Sequence, residues 1–276
     1  LRYVTQVKVN YYTDPVCPWS WALEPALRRL LQEFAGNLAV TYVMCGMVRE
    51  WDHETASKLL PSTLEAQWSS GMPSDARGWL EEPPRTSHPA CKAVKAAAAQ
   101  GNPAPYLRRL REGFMCRRQR LDTAAALTAE ARAVPGIEPQ RFAHDLESGA
   151  THDAFVADLK LAKAAAERAG DDSADERPEL PSLEFLDADD QVHGVYGFAT
   201  YEELRNAALE SGAEPTGEEE LEVEEALRRY GTLTTAEIAV VCRLPGPRAP
   251  AELWRLALES RISAERVLGG ELWKLA

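Results

Sequence analysis

The chain has 276 residues, of which 45% are hydrophobic, enough for one large domain or two smaller ones with real cores and inconsistent with a disordered polymer. Lysine and arginine number 31 against 43 aspartates and glutamates, a formal net charge of −12. An acidic surface opposes phosphate backbones and anionic lipid, so nucleic acid is not the expected partner. No apolar run approaches the roughly 18 to 20 residues of a membrane-spanning helix, and Leu1 to Asn10 carries no leader pattern, so the chain reads as soluble and untargeted.

In chain order, Gln6 to Tyr12 alternates Val7, Val9 and Tyr11 against Lys8, Asn10 and Tyr12, which predicts a strand. Thr13-Asp14-Pro15 ends it. Apolar residues at helical spacing from Pro18 to Phe34 predict one helix stopped by Gly36-Asn37, and Leu38 to Met44 reads as a second strand, parallel to the first across a right-handed crossover. From about 52 to 170 no strand is evident. Helical segments fill this stretch: Ala90–Ala99, Pro105–Arg118, Ala124–Ala133, Gln140–Leu146 and His152–Ala169. After a polar linker, Asp171 to Pro178, Ser182–Leu186 and Gln191–Tyr196 form a predicted hairpin, followed by a helix over Tyr201–Leu209. A second linker, Ser211 to Glu220, precedes helices at Leu221–Tyr230, Thr235–Cys242 and Ala251–Ser260. Thr234 and Glu237 stand at capping-box spacing, and Gly269-Gly270 marks a closing hairpin within Arg266–Leu275. Three helices and a hairpin outline a small winged-helix-like domain.

Five cysteines (Cys17, Cys45, Cys91, Cys116 and Cys242) include no pair at C-x-x-C spacing, which predicts no disulfide framework and a reducing, cytoplasmic setting. Cys17 stands apart, in Asp14-Pro15-Val16-Cys17-Pro18-Trp19-Ser20-Trp21, between the first strand and the first helix. There its sulfur faces unpaired backbone amides and the positive end of the helix dipole, an arrangement expected to lower the thiol pKa. Pro18 suits the first helical position. Trp19 and Trp21 cannot share a helix face, and Trp19 is the expected site wall. Asp14 reads first as a turn residue and second as a proton relay. The other four cysteines read as packing residues, and the five scattered histidines support no metal site.

This motif resembles that of the DsbA-like branch of the thioredoxin superfamily, in particular its cytoplasmic FrnE-type members, whose first strand is followed by Cys-Pro-Trp-Cys. Three further segments are similar to that family in the same order: Pro181 before Ser-Leu-Glu-Phe at 182 to 185, Gly194 to Phe198 before a helix, and His88 to Ala93. The resemblance covers roughly Val4 to Ala208. It implies an α/β, thioredoxin-like fold over 1–210 with a helical insertion at about 52–170, and leaves 219–276 as the winged-helix-like domain. It also implies a cis peptide at Pro181, with Pro18, Trp19, Leu180 and Pro181 binding substrate and Cys17 and Ser20 catalytic. Without the resemblance, Pro181 reads as an ordinary turn proline, because about 5–6% of such bonds are cis.

Ser20 occupies the place of the second cysteine and cannot form a disulfide, which leaves resolution of a mixed disulfide to glutathione, to the substrate, or to a cysteine outside the motif such as Cys45 or Cys91. The implied activity is therefore thiol-disulfide exchange or isomerisation by a single thiolate, with Ser20 as its hydrogen-bond donor. The expected partners are protein thiols and disulfides or glutathione as co-substrate, with no bound cofactor and a homodimer allowed. Two alternatives stay open: a non-catalytic protein-binding adaptor, and a glutathione-dependent isomerase or transferase of the kappa and hydroxychromene-carboxylate type. Between Glu214 and Ala276 eight basic residues face twelve acidic ones, against DNA binding and in favour of docking on protein.

Overall fold

The structure is a computed structural model and describes residues 6–170, 176–217 and 220–276. Val4 at the start of the family resemblance, 171–175 of the first predicted linker, and Glu218 and Glu219 of the second lie outside these ranges.

The first elements are β1 (Val7–Thr13), α1 (Pro18–Ala22), α2 (Glu24–Glu33) and β2 (Leu38–Met44). The single helix predicted over 18–34 is in fact two. Pro25 has no N–H to give the Trp21 carbonyl, so the helical ladder loses a rung there and restarts at Leu23, whose carbonyl accepts from Leu27 N–H at 2.9 Å. β1 and β2 are parallel, with Val7 opposite Leu38 and Thr13 opposite Met44.

The insertion contains α3 (His53–Ser70), α4 (Gly78–Glu81), α5 (His88–Ala98), α6 (Ala104–Met115), α7 (Ala124–Ala131), α8 (Pro139–Leu146) and α9 (Gly149–Ala169). The five predicted helices correspond to α5 through α9. Helix α3 escapes the periodicity reading because its apolar residues do not share a buried face: Leu59 is buried whereas Leu64 is exposed and Trp68 is 91% exposed, with Pro61 in between. Asp52 starts it by accepting the Thr55 N–H at 2.7 Å.

β3 (Ser182–Leu186), β4 (Val192–Tyr196) and α10 (Tyr201–Glu210) complete the first sheet, ordered β2-β1-β3-β4, with β3 antiparallel to both neighbours. Val7, Val9, Tyr11, Leu183 and Phe185 pack from one face onto α2 and α10. The opposite face presents Tyr12 and Val43 to Ala162 and Ala165 of α9. A further core fills the insertion, around Tyr106, Leu110, Phe114, Leu127, Phe142 and Phe155.

The C-terminal unit comprises α11 (Val223–Tyr230), β5 (Leu233–Thr234), α12 (Thr235–Val241), α13 (Arg248–Leu258), β6 (Ile262–Val267) and β7 (Gly270–Leu275). Its antiparallel sheet is ordered β5-β7-β6, and Leu227, Ile238, Leu253 and Trp273 form its own core. The unit is seated on the rest of the protein. Leu272 joins the core of the insertion, and Gly269 passes so close to Gln67 that an added Cβ would meet it at 2.6 Å. The capping box forms as predicted, with Glu237 Oε2 accepting the Thr234 N–H at 2.8 Å.

The same Glu237 carboxylate is fully buried and accepts from Arg28 Nε at 2.6 Å and from Arg108 Nη1 and Nη2 at 2.7 and 2.9 Å. Burial alone would raise its pKa, but the Arg108 and Arg28 charges hold it at about 2. Glu237→Gln removes the buried charge that Arg108 and Arg28 share and leaves them to Glu24 and Glu112, and is expected to lose about 3 kcal/mol in urea denaturation, the low end for a broken buried pair. Because the folded pKa lies below the ordinary 4.5, this stabilisation is complete above that value and fades as pH falls toward 2. The unfolding midpoint should therefore drop more steeply across that window in the native sequence than in the variant.

Candidate active site

The turn after β1 is built on Asp14, whose side chain is wholly buried. Its Oδ1 accepts the Val16 N–H at 3.0 Å, and its main-chain carbonyl accepts the Cys17 N–H at 3.2 Å. Oδ2 gathers three donors from other segments: Met47 N–H at 2.7 Å, the Ser87 hydroxyl at 3.0 Å and the Cys91 thiol at 3.3 Å. Asp14 is thus a turn residue that also anchors the loop after β2 and the start of α5. The His88 to Ala93 segment owes its place beside the site to these bonds.

Cys17 caps α1 and Pro18 opens it, as the motif predicts. The Ser20 N–H points at Cys17 Sγ, 3.4 Å away, and the Ser20 hydroxyl also favours the thiolate. Across the site the thiol faces the Leu180 carbonyl at 3.9 Å, beside a cis Leu180–Pro181 peptide. Trp19 packs with Cys17 and Leu180 and rests against Phe198, ring centroids 5.0 Å apart, while Trp21 turns inward and donates Nε1–H to the Pro73 carbonyl at 3.0 Å. Cys17, Trp19, Ser20, Leu180 and Pro181 therefore converge, with Pro18 at the base of α1.

The expectation of a lowered thiol pKa needs correction. Cys17 is 2% exposed and packs among Tyr12, Val43, Cys45, Ala162, Ala165 and Leu180. Burial pushes the thiol up, the Ser20 hydroxyl and N–H pull it down, and the Asp14 charge adds to the rise. The helix-capping geometry seen in the sequence is present, but desolvation outweighs it, since a buried thiolate has lost its water. Cys45, Cys91, Cys116 and Cys242 are also free and buried, and burial raises each; Cys242 is pushed up to about 12.

Several supporting groups were not apparent in the sequence. Glu184, on β3 below the cis peptide, accepts from the Tyr12 hydroxyl at 2.7 Å, the Tyr196 hydroxyl at 2.9 Å and both Arg168 Nε and Nη2 at 2.7 Å. Its one sequence signal is a charge between Leu183 and Phe185 in a short apolar strand. Thr13 and Arg111 stand behind Ser20 and gave no signal. Beyond Cys45 a cleft of about 990 Å³ opens between the loop after β2, α3 and α9, lined by Met47, Arg49, His88, Lys163 and Arg177 among others.

A sequence profile described as thioredoxin matches residues 11–167, more than half of the chain. The chain belongs to the thioredoxin family. Its α/β architecture, a four-stranded sheet with a helical insertion between β2 and β3, is the thioredoxin-like fold of DsbA-type proteins. Among solved structures it is similar to a Nitrosomonas europaea protein, with a TM-score of 0.62, 19% identity and coverage of 75% of this chain and 99% of that one. It is also similar to the cytosolic disulfide reductase DsbM of Pseudomonas aeruginosa, with a TM-score of 0.56, 19% identity and coverage of 68% and 88%. Among curated relatives, the ClpXP adapter protein SpxH of Halalkalibacterium halodurans is 25% identical over 97% of this thioredoxin-family chain and 88% of its own. SpxH of Bacillus subtilis is 26% identical, with 97% and 89% covered.

Asp14→Asn would turn amide hydrogens toward donors that now meet a carboxylate. The expected loss is about 2–4 kcal/mol, given roughly 1.5–3 kcal/mol for a hydrogen bond to a charged group, and urea denaturation followed by circular dichroism measures it.

Proposed function

We propose that the protein is a thiol-disulfide oxidoreductase or isomerase that works through one thiol. The observation that carries this reading is the convergence of Cys17, at the cap of α1 with Ser20 N–H on its sulfur, on the cis Leu180–Pro181 peptide. The thioredoxin family membership and the likeness to the disulfide reductase DsbM support it. In the first half-reaction the Cys17 thiolate attacks a substrate disulfide, forming a mixed disulfide and releasing the other substrate sulfur as a thiolate. In the second, an external thiolate attacks the substrate sulfur and Cys17 leaves as thiolate. Ser20 cannot resolve the intermediate, so another thiol does: glutathione, with which the DsbM neighbour was also solved, or a second cysteine of this chain such as Cys45, which packs in the same buried cluster as Cys17.

Backbone at Leu180 and Pro181 is proposed to meet an extended substrate, with Trp19 and Phe198 as the movable cover. Loosening the cover lets water reach the sulfur, which removes the main cause of its raised pKa. Five free thiols fit a reducing cytoplasm. The unit from 219 is read as winged-helix-like and as a protein-docking element.

A second reading, adaptor without turnover, is favoured by one observation: the SpxH relatives align over 97% of the chain, across the C-terminal unit as well as the thioredoxin-like part. Incubation with oxidised glutathione separates the two. Exchange predicts a single adduct at Cys17 by mass spectrometry, released by reduced glutathione and absent in Cys17→Ser. Turnover that survives Cys17→Ser sinks the first reading, and a folded chain that forms no adduct leaves the adaptor. Phe198→Ala, which removes the ring against Trp19, should speed Cys17 alkylation by roughly tenfold; an unchanged rate would show that the cover does not gate the sulfur.

A further inference from the structure

Ser20 is held from behind by a chain of buried polar groups. Its hydroxyl oxygen accepts from Thr13 Oγ1 at 2.8 Å, and neither residue has any exposed surface. Thr13 Oγ1 in turn accepts from Arg111 Nη2, and Arg111 Nη1 donates to Glu24. Arg111 lies on α6 in the insertion, 1% exposed, with its guanidinium also 3.3 Å from the Tyr11 hydroxyl. Its Nε meets no acceptor among the described residues, so Glu24 and the hydroxyls leave one donor unspent.

A guanidinium only donates, so it takes one of the two lone pairs of Thr13 Oγ1. The Thr13 hydroxyl donates to Ser20 Oγ, which leaves the Ser20 hydrogen for Cys17 Sγ. Each link polarises the next in a medium with little water. The geometry points to Arg111 as a positioning residue for the Cys17 thiolate, its positive charge conveyed through Thr13 and Ser20. This rests on the reading of Cys17 as nucleophile.

The other groups around the sulfur do not supply this. Asp14 is a carboxylate already engaged by four donors, and its charge opposes the thiolate. Tyr12 donates to Glu184, Cys45 points its thiol at the Val43 carbonyl, the α9 residues packed at the sulfur, Ala162 and Ala165, carry no charge, and Asp158 of α9 is held by Met44 N–H and Lys95. Arg111 is a cation acting on Cys17, and it favours the charged form. The same chain serves both half-reactions, since Cys17 is a thiolate when it attacks and when it leaves.

Removing Arg111 would take from buried Thr13 its donor and from Glu24 its nearest cation and can unfold the protein, so Thr13→Val is the informative variant, with Thr13→Ser as the conservative rescue. The pH dependence of Cys17 alkylation by iodoacetamide is read by peptide mass spectrometry on the full chain. In Thr13→Val the midpoint should rise by about one pH unit and the neutral-pH rate fall about tenfold, one pH unit being a decade in thiolate fraction. Thr13→Ser should restore the native midpoint. A purely structural hydroxyl would change thermal stability and leave the midpoint where it was. An unshifted midpoint in folded Thr13→Val overturns the relay. Should Thr13→Val fail to fold, Ser20→Ala decides, with the same upward shift expected and an unshifted midpoint overturning. Alkylation needs no disulfide substrate, so a shift in a chain that makes no glutathione adduct would keep the relay and sink the exchange reading.

Discussion

Helix α6 buries two guanidiniums, Arg108 and Arg111, three residues apart and hence on one side of the helix. A buried cation lacking a carboxylate costs several kcal/mol, so their partners have little freedom in where they lie. Glu24 at the start of α2 meets both, and Glu237 of α12 meets Arg108 together with Arg28 of α2. This one cluster fixes the insertion against the first βαβ unit, seats the C-terminal unit on both, and presents Arg111 to the end of β1.

Two further buried carboxylates complete the frame. Asp14 draws in the loop after β2 and the head of α5, and Glu184 ties the cis-peptide strand to β1, β4 and α9. Each joins segments that are distant in the chain, and between them sits the short helix carrying Cys17. The sulfur is consequently well oriented but dry. Its orientation comes from the Ser20 N–H and hydroxyl, and its dryness from Tyr12, Val43, Ala162, Ala165 and Leu180. On the proposed reading, reactivity in such a site depends on admitting water or substrate past Trp19 and Phe198, the two rings that pack together beside it.

Much of this was legible in the sequence, and the remainder was not for identifiable reasons. Alternation marked β1, and the ends predicted for Leu38–Met44 and Ser182–Leu186 coincide with β2 and β3. The Thr234 and Glu237 capping box could be read from spacing. Local pattern did not reveal the break at Leu23, because the apolar spacing continues through Pro25, nor α3, whose apolar residues are split between core and solvent. The placing of Cys17 at a helix start is a local fact and was readable. The net rise of its pKa depends on residues from β2, α9 and the cis-peptide loop, which no local reading assembles. Thr13 and Arg111 are nearly a hundred positions apart, and nothing in either neighbourhood announces that they touch. Glu237 was seen as a cap, yet its larger role is to neutralise two arginines of another unit.

If Cys17 is the nucleophile, it is the one thiol of five that must open to solvent on demand, and alkylation of the native protein tests this most directly. Brief treatment with iodoacetamide at neutral pH, with peptide mass spectrometry reporting all five sites, should label Cys17 well before Cys45, Cys91, Cys116 or Cys242. Labelling of all five at one common rate, matching that of global unfolding, would contradict it.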